Sequence, residues 1–309
     1  MKKITVLMST YNGEKYIKEQ LDSIFDQKGV DLNLLIRDDG STDATVEILR
    51  NYQRNHQNMN IICDGENLKP CLSFLRLVNM ALETDYYALA DQDDIWDDDK
   101  LCTAINMLET FPTSVPALYF SNLKIVDEND IFYRKSHERP IDISNKYSCL
   151  VEPKATGCTV VYNRALAMFV HDRMPSTFSM HDTFLFMIAA MCGNVIYDYN
   201  AHIDYRQHGS NSVGTYLKNK PVKAYIKQIQ RLFDRNLQPR YENAVQIFTL
   251  YGDYFKENDP DCLEKLETII RYKDSVCSKA KLLFDRELRP SKGGLYLIRF
   301  YILVLLNLL

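Results

Sequence analysis

Short apolar runs alternate with segments of helical periodicity over the first 120 residues of the chain. The runs are bounded by polar residues and predict buried strands over Ile4–Met8, Leu32–Arg37, Asn60–Cys63 and Tyr86–Ala90. Apolar residues at every third or fourth position predict helices over Glu14–Gln27, Asp43–Arg54, Cys71–Leu82 and Asp99–Thr110. This alternation indicates an α/β fold with right-handed crossovers and a mostly parallel central sheet.

The pattern changes in the rest of the chain. Strands are predicted over Ala117–Val126, Thr159–Tyr162 and Asn194–Tyr197, with a helix over His181–Met191. Helical periodicity then dominates, over Val222–Phe233, Tyr241–Tyr254 and Cys262–Phe284. We therefore expect an α/β domain at residues 1–217 and a helical C-terminal region at residues 218–309.

The same two regions differ in net charge: the first is acidic and the second is basic. Residues 1–217 carry 20 Lys and Arg against 30 Asp and Glu, whereas residues 218–309 carry 17 against 11. Hydrophobic residues make up 46% and charged residues 25% of the 309, which excludes a disordered or fibrous chain. The formal charge of the whole chain is −4. General nucleic-acid binding requires clustered positive charge, so no nucleic-acid partner is expected.

The cysteines and the N-terminus indicate a cytoplasmic protein. Eight cysteines are scattered without a C-x-x-C pair, so no zinc or thioredoxin-like spacing is present. The first apolar run ends at Met8 and is too short for the core of a signal peptide. Free thiols without an export signal fit a reducing compartment.

The final segment, Leu295–Leu309, is apolar except for Arg299 and Asn307. A helix of this length spans roughly 22 Å, which is short of the ~30 Å hydrocarbon core of a bilayer. Three basic residues precede it: Arg286, Arg289 and Lys292. This combination is typical of a segment that lies on an anionic membrane surface, and a buried helix or an oligomer contact is the alternative. We expect a protein peripheral to the inner face of the plasma membrane.

Polar and acidic clusters follow three of the predicted strands, at the sheet edge where sites of parallel sheets lie. They are Ser9–Asn12, Asp38–Asp43 and Asp91–Asp94. A solvated loop is the simplest interpretation of such acids, but apolar residues flank the last cluster on both sides. Carboxylates this close repel one another unless a cation relieves them, and oxygen ligands suit Mg²⁺ or Mn²⁺ shared with substrate phosphates. The spacing leaves open which of Asp91, Asp93 and Asp94 binds the ion.

Six segments together resemble family 2 glycosyltransferases of the GT-A fold, most of all the bacterial rhamnosyltransferase type. They are VLMSTYNGEKYIKEQLDSI (6–24), RDDGSTDAT (37–45), ALADQDDIWDDDKL (88–101), TGCTVVYNR (156–164), HDTF (181–184) and YRQHGSNSVG (205–214). The resemblance covers roughly residues 3–214, and the order and spacing of these motifs are highly specific. One departure follows Glu66-Asn67-Leu68, where many relatives have Gly and this chain has Lys69.

The resemblance implies a site for a nucleotide-activated sugar. Thr10, Tyr11 and Asp39 would hold the pyrimidine base and ribose, since a carboxylate accepts the N3–H of uracil or thymine and a tyrosine ring stacks. In the D-Q-D-D run, Asp91 would contact the ribose side, or the metal together with Asp93. The cofactor would be Mn²⁺ or Mg²⁺.

The resemblance also implies the residues of the transfer step. Asp182 would be the catalytic base that takes the proton of the acceptor hydroxyl, and helix capping is its alternative role. Arg206 and His208 would reach the diphosphate, or His208 would bind the metal. A structural role for His208 is the alternative.

The implied function is metal-dependent, inverting transfer of a sugar from a nucleotide-diphospho-sugar donor. The acceptor would be a saccharide or a lipid-linked saccharide in the synthesis of a surface or capsular polysaccharide. Rhamnose from dTDP-rhamnose is the donor sugar that the resemblance suggests. A non-catalytic sugar-binding or assembly protein is the alternative, and the intact carboxylates argue against it.

Overall fold

The computed structural model describes residues 1–81, 83–208, 239–291 and 293–309. The chain divides into two compact units. The first comprises residues 1–143, 155–174 and 180–216, and the second comprises residues 144–154, 175–179 and 217–309. Two short segments that precede residue 217 therefore belong to the second unit.

A single mixed sheet forms the centre of the first unit. Among the described residues, nine strands pair in the order β3-β2-β1-β4-β8-β6-β9-β5, with β7 paired to β6 at one side. Their bounds are β1 Lys2–Thr10, β2 Val30–Asp38, β3 Met59–Cys63, β4 Tyr86–Ala90, β5 Ile95–Trp96, β6 Ala117–Val126, β7 Phe132–Lys135, β8 Val161–Asn163 and β9 Asn194–Arg206.

The pairing directions bring six strand ends to one edge of the sheet. Strands β1, β2, β3 and β4 pair in parallel. Strand β8 pairs antiparallel with both β4 and β6, and β6 pairs parallel with β9. The carboxyl ends of β1, β2, β3, β4, β6 and β9 therefore point the same way. Side chains that follow these strands can converge on one site.

Helices cover the sheet of the first unit. They are α1 Ile17–Phe25, α2 Thr45–Asn55, α3 Lys69–Met80, α4 Lys100–Leu108, α5 Arg164–Val170 and α6 His181–Cys192. In α1, Ile17, Leu21 and Ile24 are fully buried, at the spacing of one helical face. All five residues of β4 are buried, which explains its continuous apolar run. In α6, ten of the twelve residues are buried, so this helix is apolar on nearly all sides.

The described part of the second unit is helical. Its helices are α7 Pro239–Asn258, α8 Pro260–Arg271, α9 Val276–Phe284 and α10 Leu295–Leu305, with a short 3-10 turn at Lys146–Leu150. The single helix expected over Cys262–Phe284 is thus two helices. Ser275 accepts a hydrogen bond from the Ser278 amide at 3.1 Å and caps the second one. The helix expected over Val222–Phe233 lies outside the described residues.

The apolar segment Leu295–Leu309 is partly packed and partly exposed. Phe300, Leu303 and Val304 are buried, whereas Leu295, Ile298 and Leu305 are more than half exposed. Among the described residues, no helix is long and apolar enough to cross a bilayer.

Candidate active site

The predicted site residues follow the parallel strands at one edge of the sheet. Thr10 ends β1 and pairs in register with Asp38 at the end of β2. Met8 pairs with Ala90, the last residue of β4, so the loop that begins at Asp91 starts beside the end of β1. His208 follows the end of β9 by two residues.

A cleft of about 400 Å³ lies at this edge. Seven of the predicted site residues line it: Thr10, Tyr11, Asp39, Asp91, Asp93, Asp182 and His208. Arg206 does not appear among the described residues that line the cleft. The cleft thus gathers side chains that lie up to almost 200 positions apart in the sequence.

Asp39 is held in place by buried and backbone donors. Its Oδ1 accepts hydrogen bonds from the Leu68 amide at 2.7 Å and the Arg37 guanidinium at 2.5 Å, and its Oδ2 accepts one from the Lys69 amide at 2.9 Å. An ionised carboxylate offers about four acceptor positions. One position is left for a donor in the cleft, such as an N3–H of a pyrimidine base.

Arg37, which was not among the predicted site residues, anchors this carboxylate from below. Its side chain is fully buried and makes a two-pronged contact with Asp64, at 3.0 Å from Nε and 2.7 Å from Nη2. Burial alone would lower the pKa of Arg37, but the hydrogen bonds to Asp39 and Asp64 outweigh it and the pKa is raised. Arg37 is the penultimate residue of β2 and Asp39 follows the strand directly, so RDDGSTD already places the two side chains at the same strand end.

The loops after β1 and β4 are joined through Gln92. The Tyr11 amide donates to Gln92 Oε1 at 2.9 Å, and Gln92 Nε2 donates back to the Tyr11 carbonyl at 3.0 Å. A Cβ at Gly13 would lie 2.3 Å from Gln92 Oε1, so any other residue there would displace this amide from the Tyr11 backbone. Tyr11 itself is 47% exposed, which leaves its ring free to stack on a planar ligand.

The three acids of the D-Q-D-D run face different surroundings. Asp91 and Asp93 line the cleft. Asp94 is fully buried, accepts a hydrogen bond from the Arg206 amide at 3.2 Å, and lies within 4.8 Å of the Cys158 thiol. Burial, and then the charges of Asp93 and Asp182, raise the pKa of Asp91 to about 7. The cleft therefore holds more negative charge than its own residues compensate.

Asp91, Asp93 and His208 are the candidate ligands for a divalent cation at the cleft, although their ligand atoms do not all lie within 4.8 Å of one another. Asp93 Oδ2 lies 2.7 Å from His208 Nε2, and Asp91 lines the cleft beside them. Two carboxylates and an imidazole form a donor set that suits Mn²⁺ or Mg²⁺ with further ligands from a substrate. A bound cation would also relieve the repulsion that raises the pKa of Asp91.

Arg206 is placed differently from the expected diphosphate contact. Its side chain is 1% exposed, and its guanidinium pairs with Glu19 at 2.6 Å and Asp130 at 2.7 Å. It also lies over the ring of Tyr16, 4.6 Å from the centroid, and donates to the Asp93 carbonyl at 3.3 Å. Because carboxylates already surround this cation, we interpret Arg206 as a residue that holds the acidic loop in place.

Asp182 lies in the first turn of α6 and lines the cleft. It is not the capping residue, because Met180 precedes the helix and Asp182 is its second residue. Its Oδ1 accepts the Thr183 amide at 2.6 Å. Its Oδ2 lies 3.5 Å from the position that a Cβ at Gly157 would occupy, so it is turned toward a residue that also lines the cleft.

Sequence comparisons place the chain among sugar-transferring enzymes. The sequence profile described as glycosyl transferase family 2 matches residues 5–168. The chain is 32% identical, over 271 residues, to a dTDP-rhamnosyl transferase, RfbG, of Shigella flexneri. That match covers 81% of this chain and 87% of the relative.

Comparison with solved structures shows the same fold in two glycosyltransferases. The chain is similar to residues 1–349 of Staphylococcus aureus TarS in complex with UDP-GlcNAc, with a TM-score of 0.59, 18% identity, and coverage of 98% of this chain and 79% of that one. It is also similar to the mannosyltransferase PcManGT of Pyrobaculum calidifontis in complex with GDP-Man and Mn²⁺, with a TM-score of 0.55, 17% identity, and coverage of 99% and 88%. The expected GT-A fold, with its mixed and largely parallel sheet, is confirmed.

Proposed function

This chain belongs to glycosyl transferase family 2, and from that premise we propose that it transfers a sugar with inversion from a nucleotide-diphospho-sugar to a saccharide hydroxyl. The acceptor is a growing surface polysaccharide or a lipid-linked oligosaccharide. One observation carries the proposal: Asp39, the pair Asp91 and Asp93, and Asp182 all line one cleft. A base-binding carboxylate, a metal-binding pair and a proton acceptor are the three parts that the reaction needs.

For the donor, dTDP-rhamnose is the first candidate. The relative from Shigella flexneri, which matches most of this chain, is named a dTDP-rhamnosyl transferase. The remaining acceptor position of Asp39 suits the N3–H of thymine, and the exposed ring of Tyr11 suits stacking on the base. Uracil offers the same N3–H, so UDP-sugars are the second candidates.

Asp182 performs the proton transfer in this proposal. It takes the proton of the acceptor hydroxyl as that oxygen forms a bond to the anomeric carbon. The bond between the anomeric carbon and the diphosphate oxygen breaks on the opposite face, and the nucleoside diphosphate leaves with the electron pair. A direct displacement of this kind inverts the configuration of the anomeric carbon.

Asp91, Asp93 and His208 would hold the divalent cation. When bound, the cation offsets the negative charge that develops on the departing diphosphate. Gln92 keeps these acids next to the Tyr11 loop through its two hydrogen bonds, and Arg206 supports the same loop from beneath.

We further propose that α10 contacts an anionic membrane surface, where a lipid-linked acceptor would be found. Its exposed side chains include Leu295 at 82%, Ile298 at 55% and Leu305 at 59%. Two exposed basic residues, Arg286 and Arg299, accompany this apolar face. An exposed apolar face with adjacent cations is the pattern of helices that lie in the headgroup region of anionic lipids.

The first test is a panel of dTDP-, UDP- and GDP-sugars, measured for binding and slow hydrolysis with Mn²⁺, Mg²⁺ or EDTA. We expect one donor to be hydrolysed only in the presence of a divalent ion. The products identify the sugar and the nucleotide together. If a folded sample binds no nucleotide, the proposal is wrong and a sugar-binding or assembly role replaces it.

A matched pair of variants tests the metal site. Asp93→Asn removes a charge from the cleft, and Asp98→Asn removes one from an exposed residue nearby that does not belong to the described cleft lining. We expect the first to lower metal-dependent turnover by about 100-fold or more, in line with loss of a metal ligand or its support, and the second to leave it unchanged. Equal activity in both variants would contradict the assignment of Asp93.

A further inference from the structure

His181 is a buried residue with unused hydrogen-bonding capacity. It precedes Asp182 at the start of α6, its side chain is 2% exposed, and it lines the cleft. Among the described residues, neither ring nitrogen of His181 has a hydrogen-bond partner. A buried polar group without a partner destabilises the folded state. Because His181 lines the cleft, a ligand bound there can supply the hydrogen bond that the ring lacks.

The ring of His181 is held in one orientation. It stacks on Phe74, with ring centroids 4.0 Å apart and an interplanar angle of 18°. Nε2 lies 3.0 Å from the position that a Cβ at Gly157 would occupy, and Asp182 Oδ2 lies 3.5 Å from the same position. Both atoms therefore lie on the side of Gly157 that lacks a side chain, and all three residues line the cleft.

Neutral imidazole suits a hydroxyl group as its ligand. Burial lowers the pKa of His181, and the nearby charge of Asp182 only partly opposes this effect. A neutral ring carries one N–H donor and one acceptor nitrogen, and a hydroxyl is likewise both donor and acceptor. A phosphate would favour a cation instead.

We propose that His181 Nε2 binds a second hydroxyl of the acceptor sugar, next to the hydroxyl that Asp182 deprotonates. The inference rests on the proposed function, because it takes Asp182 as the base. Since Nε2 and Oδ2 flank the same point at Gly157, one sugar ring with two neighbouring hydroxyls reaches both. His181 is thus a specificity-determining residue that selects acceptors with this pair of hydroxyls.

The test uses His181→Phe, which keeps a ring to stack on Phe74 and removes both nitrogens. Removal of two unpartnered polar atoms should raise the free energy of unfolding, measured by urea denaturation. Donor binding and donor hydrolysis without acceptor should fall much less than transfer to an acceptor does. Transfer to an acceptor should fall about 10–100-fold in kcat/KM, as expected for loss of one specific sugar contact.

A deoxy acceptor then separates a direct contact from an indirect effect. The probe is whichever p-nitrophenyl monosaccharide glycoside supports turnover with wild-type enzyme, together with its monodeoxy analogues. For wild type, one analogue should lose about as much kcat/KM as the His181→Phe variant loses, and for the variant the same analogue should lose nothing further. His181→Gln, which retains a donor and an acceptor, should recover part of the activity.

The outcomes distinguish the inference from the proposed function. If wild-type enzyme hydrolyses no donor and transfers to no glycoside, the proposed function is wrong and the inference with it. If wild type is active but His181→Phe is destabilised, or loses activity equally on all deoxy analogues, the imidazole is structural and only the inference is overturned.

Discussion

The His202 side chain connects strand β9 to the start of helix α4. It lies on β9, and its two ring nitrogens each lie 3.2 Å from a carboxylate oxygen, of Asp99 and of Asp198. The hydrogen bond to Asp198, with a further contribution from Asp99, raises the pKa of His202 above its ordinary value of 6.5. The protonated ring donates to both carboxylates, whereas the neutral ring can donate to only one, so the junction between β9 and the start of α4 is weaker once the proton is lost.

The pH dependence of stability follows from this shift. Because the folded-state pKa of His202 is raised, its contribution is fully present below about pH 6.5 and is lost as the pH rises through the folded-state pKa. We expect the difference in unfolding free energy between wild type and His202→Asn to be larger at pH 6 than at pH 9. The pKa of Asp198 is lowered, so that carboxylate stays charged across this window. If this difference in unfolding free energy is the same at both pH values, the charged interaction of His202 with the two carboxylates is refuted.

Lys69 is the residue at which the sequence departs from the pattern that the resemblance implies, and its backbone conformation is one that suits glycine. It adopts φ of +68°, in the left-handed region that disfavours side chains. The conformation is held because the Lys69 amide donates to Asp39 in the cleft. The backbone of Lys69 therefore keeps the conformation in which its amide can donate to Asp39, although that conformation is unfavourable for a residue with a side chain.

At the scale of elements, the sequence predicted the strands and helices that have a strong period. The sequence predicts all four N-terminal strands and the helix at His181, and the strand order alone places Asp39 and Asp91 at one edge, whereas the assignment of Asp182 to the site depends on the family resemblance. Strand β9 was predicted to end at Tyr197 but extends to Arg206, since its second half pairs in part with short β5 and lacks a clear apolar alternation. The strands that pair with β9 are distant from it in the sequence, so the local pattern does not indicate where β9 ends.

The loops of the site show where sequence reasoning was insufficient. Arg206 has the chemistry of a phosphate ligand, yet the structure pairs it with Glu19 and Asp130, 187 and 76 positions away. Gln92 was passed over because an amide carries no charge and no catalytic signature. Contacts of this kind depend on the tertiary arrangement and leave no period in the sequence.

Gln92 connects the loop after β1 to the loop after β4, so its removal should loosen both loops. Gln92→Ala removes the two hydrogen bonds to the Tyr11 backbone, which should cost about 1–2 kcal/mol of unfolding free energy. We also expect weaker donor binding by calorimetry, because the Tyr11 loop loses its attachment to the acidic loop. Gln57→Ala, at an exposed residue in the turn between α2 and β3, is the control. Donor affinity that is the same in both variants would show that the two loops hold their positions independently.

At the scale of the whole molecule, the C-terminal segment has a buried face and an exposed face, so internal packing and the proposed membrane contact do not exclude one another. One face of α10 packs through Phe300, Leu303 and Val304, while Ile298 and Ile302 are exposed. The chain end is also fixed, because the Leu309 amide donates to the Tyr272 hydroxyl at 3.0 Å. Deletion of the segment would therefore remove buried side chains, and point substitutions on the exposed face are the cleaner test.

The variant Ile298→Glu/Ile302→Glu places two negative charges on the exposed face of α10. We expect wild type to sediment with phosphatidylglycerol vesicles at low salt and to be released as salt screens the basic residues. The variant should stay in the supernatant while its thermal unfolding is unchanged. Val276→Glu/Met168→Glu adds the same charge at other exposed apolar residues and should still sediment. Equal binding by all three proteins would rule out α10 as the contact.

The long separation between Asp93 and His208, 115 positions in the sequence, has a consequence for how the protein is made. During synthesis, Thr10 and Asp39, the proposed base-binding residues, leave the ribosome first, Asp182 later and His208 last. A ligand stabilises only a chain that already contains its complete binding site. The nascent chain must therefore fold most of its sheet without help from the nucleotide sugar, and the cellular pool of donor can protect the enzyme only after synthesis has passed β9.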